Sequence, residues 1–526
     1  MAVRFTAYGG AGEIGGNKLL LEDDDWQIFF DFGMSFGTAG KYFEEFLQPR
    51  PSHGLSDFLQ TGLLPPLEGL YRSDLSTLPE HAFIWNRLNQ QPGYRNDIAP
   101  RAVLLSHAHA DHVGYVSMLR NDIPIITSAT SALIAKAMQD GGQSRVDAQT
   151  VFLRSARPKN GLLTSATNEP FEQRPWQILD KETWTTAASS YWTRRFSKTG
   201  PAAVTCEAAP ASTSLEGHQI RAYPTDHSIP GTVGFAVETS AGWVGYTGDI
   251  RVHGRRGAMT LDFAHELAKL DVVALICEGT QAGRPAGTTE DDVRNRAIER
   301  IASENGLVVA DFGPRNIERL ETFLEAARMN GRKLVVLMKD ALLLKAMATV
   351  NTEVPTPSAA NDLLVYSETR SNRAAWQEAI ADEFEDALIA PEQIRADVGS
   401  YVLCFSFFDV TRLLDIGETT GVWIYSSSEP YNEEAVLDMG RLRNWTDRLG
   451  LDLVGGEGVD EAENSGFHAS GHAAGADLRK FIEIANPRTL IPVHLEDRGL
   501  SFYRETFADS NIELRVPDWG QPIMID

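Results

Sequence analysis

The amino-acid sequence predicts an α/β fold of more than one domain, in which a strand-rich N-terminal region is followed by a mainly parallel sheet with helices on both faces. Three observations carry this. The first 31 residues hold three short apolar runs separated by turn residues. From about residue 262, short apolar runs alternate with stretches of helical composition. Between these regions lies Ser106-His107-Ala108-His109-Ala110-Asp111-His112, on what reads as a strand-to-helix turn. A chain of 526 residues has a length that corresponds to roughly two to four domains.

The N-terminal strands are Val3 to Tyr8, Lys18 to Leu21 and Gln27 to Asp31. The first two are joined by Gly9-Gly10-Ala11-Gly12-Glu13-Ile14-Gly15-Gly16, which contains a GxGxxG pattern. A dinucleotide-binding turn needs a helix after the last glycine. Here another strand follows, so the segment reads as a strand connection. Asp31 ends an apolar strand and is a candidate for a buried carboxylate that orients a metal-binding histidine.

Residues 34–100 are rich in proline and aromatics, and read as an insertion with short helices. Ala102 to Leu105 reads as a buried strand and Val113 to Leu119 as the start of a helix. Residues 145–200 hold nine basic residues against five acidic ones, with Trp176, Trp184, Tyr191 and Trp192 interleaved. Basic side chains among stacking platforms suit single-stranded nucleic acid. Arg194, Arg195 and Trp192 are the candidate contacts.

The α/β pattern then runs in order. Strands are expected at 272–277, 307–311, 333–338, 401–405 and 422–426, and helices at 290–305, 317–329, 341–349 and 476–484. There is no internal repeat.

The formal net charge is −24, which repels polyanions at long range, so a nucleic-acid function needs a locally basic face. Cys206, Cys277 and Cys404 are far apart and form no CxxC, which speaks for a reducing, cytoplasmic compartment and against a disulfide framework or thiolate zinc site. No apolar run reaches the length of a membrane span, and the N-terminus lacks the pattern of a secretion signal.

The chemistry concentrates in the histidine-rich turn. The chain has 12 histidines, and three of them fall within six positions. Imidazole nitrogen with carboxylate oxygen suits a divalent ion such as zinc or manganese. His107 and His109 can face one ion, Asp111 and His112 a second. His227, after Thr225-Asp226, can complete the first set. Asp249, after Thr247-Gly248, has two oxygens and can bridge. Asp226, beside His227, is a second candidate for a carboxylate behind the ligands.

HxHxDH, then a lone histidine, then an aspartate after glycine, resembles the metallo-β-lactamase fold, an αββα sandwich with its metal site at one sheet edge. Glu278 in Cys277-Glu278-Gly279-Thr280, His472 in Ser470-Gly471-His472-Ala473 and His494 in Pro492-Val493-His494 resemble motifs A, B and C of its β-CASP nuclease group, and ribonuclease J is the nearest type. The resemblance implies a hydrolase domain in two parts, 1–284 and 461–526, around an inserted β-CASP α/β domain at 285–460. It implies His494 as a ligand beside Asp111 and His112, and Asp111, His472 and Glu278 as catalytic residues. Ser470 and His468 are implied to touch substrate phosphate. It further implies two divalent ions, zinc or manganese, that activate a hydroxide for hydrolysis of RNA or single-stranded nucleic acid by a cytoplasmic enzyme without membrane attachment, with a homodimer left open. The chain departs from that type where ribonuclease J has Gly-Ser-Gln-Gly-Glu, for which it has Cys404-Phe405-Ser406-Phe407-Phe408-Asp409, and in ending 32 residues after His494 where that family carries a further domain. The alternatives are a DNA nuclease, a hydrolase of a small ester, thioester or lactam, and a binding or scaffold subunit.

Overall fold

The computed structural model describes residues 3–526 apart from 45, 143–144, 166–170, 195, 197–206, 209–211, 314, 369–371, 418, 428–432 and 457–465. The three N-terminal strands form as expected, at Val3–Ala7, Leu19–Asp23 and Trp26–Phe30. They pair antiparallel in sequence. Asp24 makes the tight turn between the last two with a left-handed φ of 52°, a conformation that aspartate tolerates better than most residues.

An eight-stranded sheet grows from this meander. Pro522–Ile525 pairs on one side of Val3–Ala7, and Ala102–Leu104, Ile125–Ser128, Trp176–Leu179 and Glu207–Ala208 extend the other. A second sheet runs Ser212–Leu215, His218–Pro224, Val233–Thr239, Gly242–Tyr246, Ala274–Glu278, Thr489–Val493 and Glu513–Leu514. The facing sides of the two sheets meet in one core: Val3, Phe5, Phe30 and Leu104 from the first, and Phe235, Tyr246, Ile276 and Ile491 from the second. Helices Gly257–Leu270 and Gly475–Ala485 cover the outer face of the second sheet through Phe263, Leu267, Leu478 and Phe481. Helix Ala129–Gly141 and the short helices of 34–100 cover the outer face of the first. This is the metallo-β-lactamase αββα sandwich.

A third sheet lies in the chain between strands Ala274–Glu278 and Thr489–Val493 of the second. Its order is Leu388–Ile389, Leu363–Tyr366, Lys333–Val336, Tyr401–Leu403, Leu307–Asp311, Gly421–Tyr425 and Leu451–Val454. Every adjacent pair is parallel, as the alternation of strands and helices requires. One helix starts earlier than its apolar pattern suggests. The Asp340 carboxylate accepts the Leu337 N–H at 3.0 Å, so the chain turns at once into helix Met338–Ala348 and the preceding strand ends at Val336.

A buried charge network fixes the inserted domain on the sandwich. Arg251 donates to Glu290 at 2.8 Å, Glu318 at 2.5 Å and Asp226 at 3.3 Å. Arg319 holds Glu290 at 3.0 Å and the Ser426 carbonyl at 2.5 Å. All five charged groups are buried. Removing one member strands its partners in a low dielectric, which costs about 3–5 kcal/mol. Arg251→Met is therefore expected to lower the urea-unfolding midpoint by an amount equivalent to about 3–5 kcal/mol. A change below about 1 kcal/mol would mean that the carboxylates reach water as a surface pair does.

The basic, aromatic stretch at 145–200 differs from its expected role. Trp176, Tyr191 and Trp192 are buried. Trp192 packs edge-on to Trp176 and Trp184 with centroids 5.7 and 5.8 Å away, so it has no free face for a base. Arg174 is buried and donates to the carbonyls of Leu119 and Arg120. Arg194 lies 3.7 Å from Glu383 of the inserted domain and stacks on Phe196. Thr185 donates to the Thr349 carbonyl at 2.6 Å. Trp176, Tyr191, Trp192 and Arg174 thus pack into the core, and Thr185 and Arg194 reach the inserted domain, while Arg157, Lys159 and Lys181 stay exposed. Arg195 lies outside the described residues.

Candidate metal centre

The histidine-rich turn leaves strand Ala102–Leu104 and enters a helical turn, Ala110–Val113, with His109 as its N-cap. The turn begins three residues earlier than the apolar pattern suggests, so Asp111 and His112 lie on it and point in different directions. The backbone is packed too closely for larger residues. A Cβ on Gly33 would lie 1.6 Å from the Asp111 carbonyl oxygen, and one on Gly471 would lie 2.9 Å from the His227 ring.

Two groups of side chains converge here. Nε2 of His107 and Nε2 of His227 each lie 3.1 Å from Nδ1 of His109. Asp111, His112, Asp249 and His494 form the second group, with potential ligand atoms within 4.8 Å of one another. Asp249 stands between the groups: its Oδ2 is 3.1 Å from His112 Nε2 and 3.7 Å from His107 Nε2 and His227 Nε2, and its Oδ1 is 3.8 Å from His494 Nε2. His494 joins from the far end of the chain, in a left-handed conformation with φ 54°. Such strain in a non-glycine residue persists where the surroundings over-determine it.

The rings are held from behind. Ser106 Oγ lies 3.0 Å from His107 Nδ1, Asp31 Oδ2 2.7 Å from His112 Nδ1 and Thr280 Oγ1 2.7 Å from His494 Nδ1. His227 Nδ1 donates to the Gly471 carbonyl. In each case the remaining ring nitrogen faces the centre, the usual way a protein sets a ligand's tautomer. Asp31 is held in turn by the Tyr246 hydroxyl at 2.6 Å, which accepts from Asn17 at 3.0 Å. Asp226 is different: its carboxylate pairs with Arg251, not with an imidazole. The guanidinium outcompetes the neutral ring beside it for that charge.

The electrostatics favour a cation. Burial pushes His107 and His109 well below the ordinary imidazole pKa, and His227 down to about 4, so all three present lone pairs. Burial also disfavours a charge on His112, but Asp249, Asp111 and Asp31 outweigh it and raise that ring well above its ordinary value. Asp249 Oδ1 is buried without a hydrogen-bond partner among the described residues. An orphaned carboxylate oxygen beside converging imidazole nitrogens fits a divalent ion and little else.

His472 sits at the rim, with Nδ1 at 3.1 Å from both oxygens of Glu278. Burial lowers its pKa, but Glu278 and Asp249 overcome that and hold it at about 9. Glu278 also accepts the N–H groups of Ile250 and Thr280 at 3.0 Å. The Ser470 hydroxyl accepts the His472 N–H at 3.1 Å. His468 contacts the Ser426 carbonyl at 3.5 Å, and burial beside Arg319 takes its pKa to about 4. Ser106, Thr280, Tyr246 and Asn17 were not read from sequence as parts of the site. Of these, Ser106 and Thr280 adjoin recognised motifs and carry a usable signal.

Asp31→Asn is expected to keep the fold and to weaken metal affinity by about 10–100-fold, because it replaces the acceptor behind His112. Competition with a chromophoric chelator measures this; an unchanged affinity would mean that Asp31 does not orient the ring.

Residues 462–517 match the family described as the RNA specificity domain of Zn-dependent metallo-hydrolases. The chain is 22% identical over 505 residues to ribonuclease J of Mycoplasma pneumoniae, covering 94% of this chain and 68% of that protein. It is 22% identical over 531 residues to ribonuclease J of Corynebacterium glutamicum, covering 97% and 56%. Ribonuclease J2 of Bacillus subtilis is likewise 22% identical, with 94% and 70% covered. This chain therefore spans 56–70% of the length of these three relatives. The crystal structure of a protein of unknown function from Enterococcus faecalis V583 superposes over the whole of both chains, with a TM-score of 0.66 at 19% identity. In architecture the chain has the metallo-β-lactamase fold, and along nearly its whole length it is similar to ribonuclease J.

Proposed function

We propose that the protein is a metal-dependent ribonuclease that hydrolyses RNA phosphodiester bonds at a two-ion centre. The observation that carries this reading is the convergence of His107, His109, His227, Asp111, His112, Asp249 and His494, with Asp249 reaching both groups. The likeness to ribonuclease J supplies the substrate class, as does the match of residues 462–517 to an RNA specificity domain.

His107, His109 and His227 would hold one ion, and Asp111, His112 and His494 the other, with Asp249 shared. Zinc suits the nitrogen-rich first set; manganese suits the carboxylate share of the second. Bound ions supply Lewis acidity, which makes water ionisable near neutral pH and neutralises charge on phosphoryl oxygens. The chain's own residues do the rest. Asp31, Ser106, Thr280 and the Gly471 carbonyl hold the rings in place. His472, held by Glu278 and with no described partner on Nε2, is placed to give a proton to the leaving 3′-oxygen. The Ser470 hydroxyl beside it is a phosphate contact; His468 is a weaker one, since it is turned toward Ser426.

No helix among the described residues is long and apolar enough to cross a membrane. Cys277 and Cys404 are free thiols, which fits a cytoplasmic enzyme. The net charge of −24 favours a second reading, a hydrolase of a small ester, thioester or lactam. Incubation with 5′-labelled RNA and single-stranded DNA, in zinc or manganese, separates the two. The ribonuclease reading expects a product ladder from RNA. Hydrolysis of a thioester or lactam with both polymers intact would replace it with the second reading.

A further inference from the structure

We propose that Arg315 is a further substrate-binding residue, whose guanidinium takes non-bridging phosphate oxygens of the RNA on the His109 and Asp111 side of the centre. This rests on the ribonuclease reading above.

Arg315 belongs to the inserted domain, in the turn between strand Leu307–Asp311 and helix Ile317–Met329. Its side chain crosses to the sandwich, where Nη1 donates to the Ala108 carbonyl at 3.3 Å. Ala108 separates His107 from His109, so the guanidinium lies at the edge of the centre. It is half-buried and forms no ion pair among the described residues. Its charge acts on the neighbouring groups: it helps burial and His227 to lower the pKa of His109, while Asp111 partly offsets the burial that lowers its own.

The other deep arginines near the domain junction behave differently. Arg251 and Arg319 are fully matched by Asp226, Glu290 and Glu318. The chain has 72 acidic and 48 basic residues, so carboxylates are plentiful. Yet a cationic fork is left unmatched beside a cluster built to collect cations. Loading the centre with divalent ions makes this worse. An anion lying between the ions and the guanidinium reverses the sign of the interaction. A phosphodiester in the cleft is such an anion, and the planar guanidinium matches two of its oxygens. Placing this group on the inserted domain puts an unmatched positive charge beside the centre of a chain whose net charge is −24, where it favours a polyanion locally.

A structural role, tethering the inserted domain to the Ala108 carbonyl, is the competing account. Steady-state cleavage of a fluorescein-labelled single-stranded RNA decides between them, run with the full chain in manganese over a series of KCl concentrations. Arg315→Gln is expected to raise KM by about tenfold or more, the value of a charge-assisted contact, with kcat little changed and metal content as in wild type. The slope of log KM against log salt should fall by about 0.7, one single-strand phosphate contact. Arg315→Lys keeps the charge without the fork, so it should restore the slope and only part of KM. The inference is overturned if Arg315→Gln cleaves with unchanged KM and slope, which leaves the ribonuclease reading standing. It is also overturned if Arg315→Lys fails to restore the slope while the melting temperature falls, which is the tether's signature. If wild-type protein cuts no RNA, the ribonuclease reading falls and this inference with it.

Discussion

Asp249→Asn is expected to cost the protein most of its bound metal and RNA cleavage, by at least the roughly 10²–10³-fold seen when one preorganised electrostatic group is removed from an active site. Asp249 is the carboxylate that reaches both histidine groups. It lies 3.1 Å from His112, 3.7 Å from His107 and His227, and 3.8 Å from His494. The amide keeps the size but loses the charge, and turns an NH₂ group toward nitrogens whose lone pairs face the centre. Metal per chain by mass spectrometry, beside kcat/KM on labelled RNA, reads the effect. A variant with full metal content and wild-type cleavage would remove Asp249 from the centre of the mechanism.

His472→Ala is expected to separate substrates by their leaving groups. The 3′-oxygen of RNA is a poor leaving group, and a positioned acid is worth about 10²–10⁴-fold there. A nitrophenolate leaves without a proton, so bis-nitrophenyl phosphate should lose far less in the same variant. Glu278→Gln should follow the same pattern more weakly, because Glu278 fixes the ring through contacts of 3.1 Å without reaching the substrate. Equal losses on both substrates would leave His472 as a binding residue.

Much of the centre was legible because its residues are clustered. His107, His109, Asp111 and His112 sit within six positions, and a strand-to-turn transition has few ways to aim them. Asp31 could be read behind them because a carboxylate directly after the apolar run Ile28-Phe29-Phe30 must find a buried partner. His494 has no such local signal; only its likeness to a family motif brought it to the site. The misreadings share one physical cause. Composition shows that Trp192 lies among basic residues, but not which face of its helix packs inward. Adjacency to His227 suggests that Asp226 serves that ring, but the direction of its carboxylate is set by Arg251, which comes two strands later in the chain and bridges to it. Arg315 was invisible for the same reason, since its place at the centre depends on how the inserted domain docks. The strands and helices, and their mainly parallel pairing, were read more easily than the docking, because alternation of apolar runs is local and the Arg251–Glu290–Arg319 network is not.

The most direct test removes the metal and returns it. Protein stripped by a chelator and titrated with manganese should recover RNA cleavage in step with binding, complete at two ions per chain, and Asp249→Asn should recover neither. Cleavage at the wild-type rate in the stripped protein, with chelator still present, would contradict the account at its base.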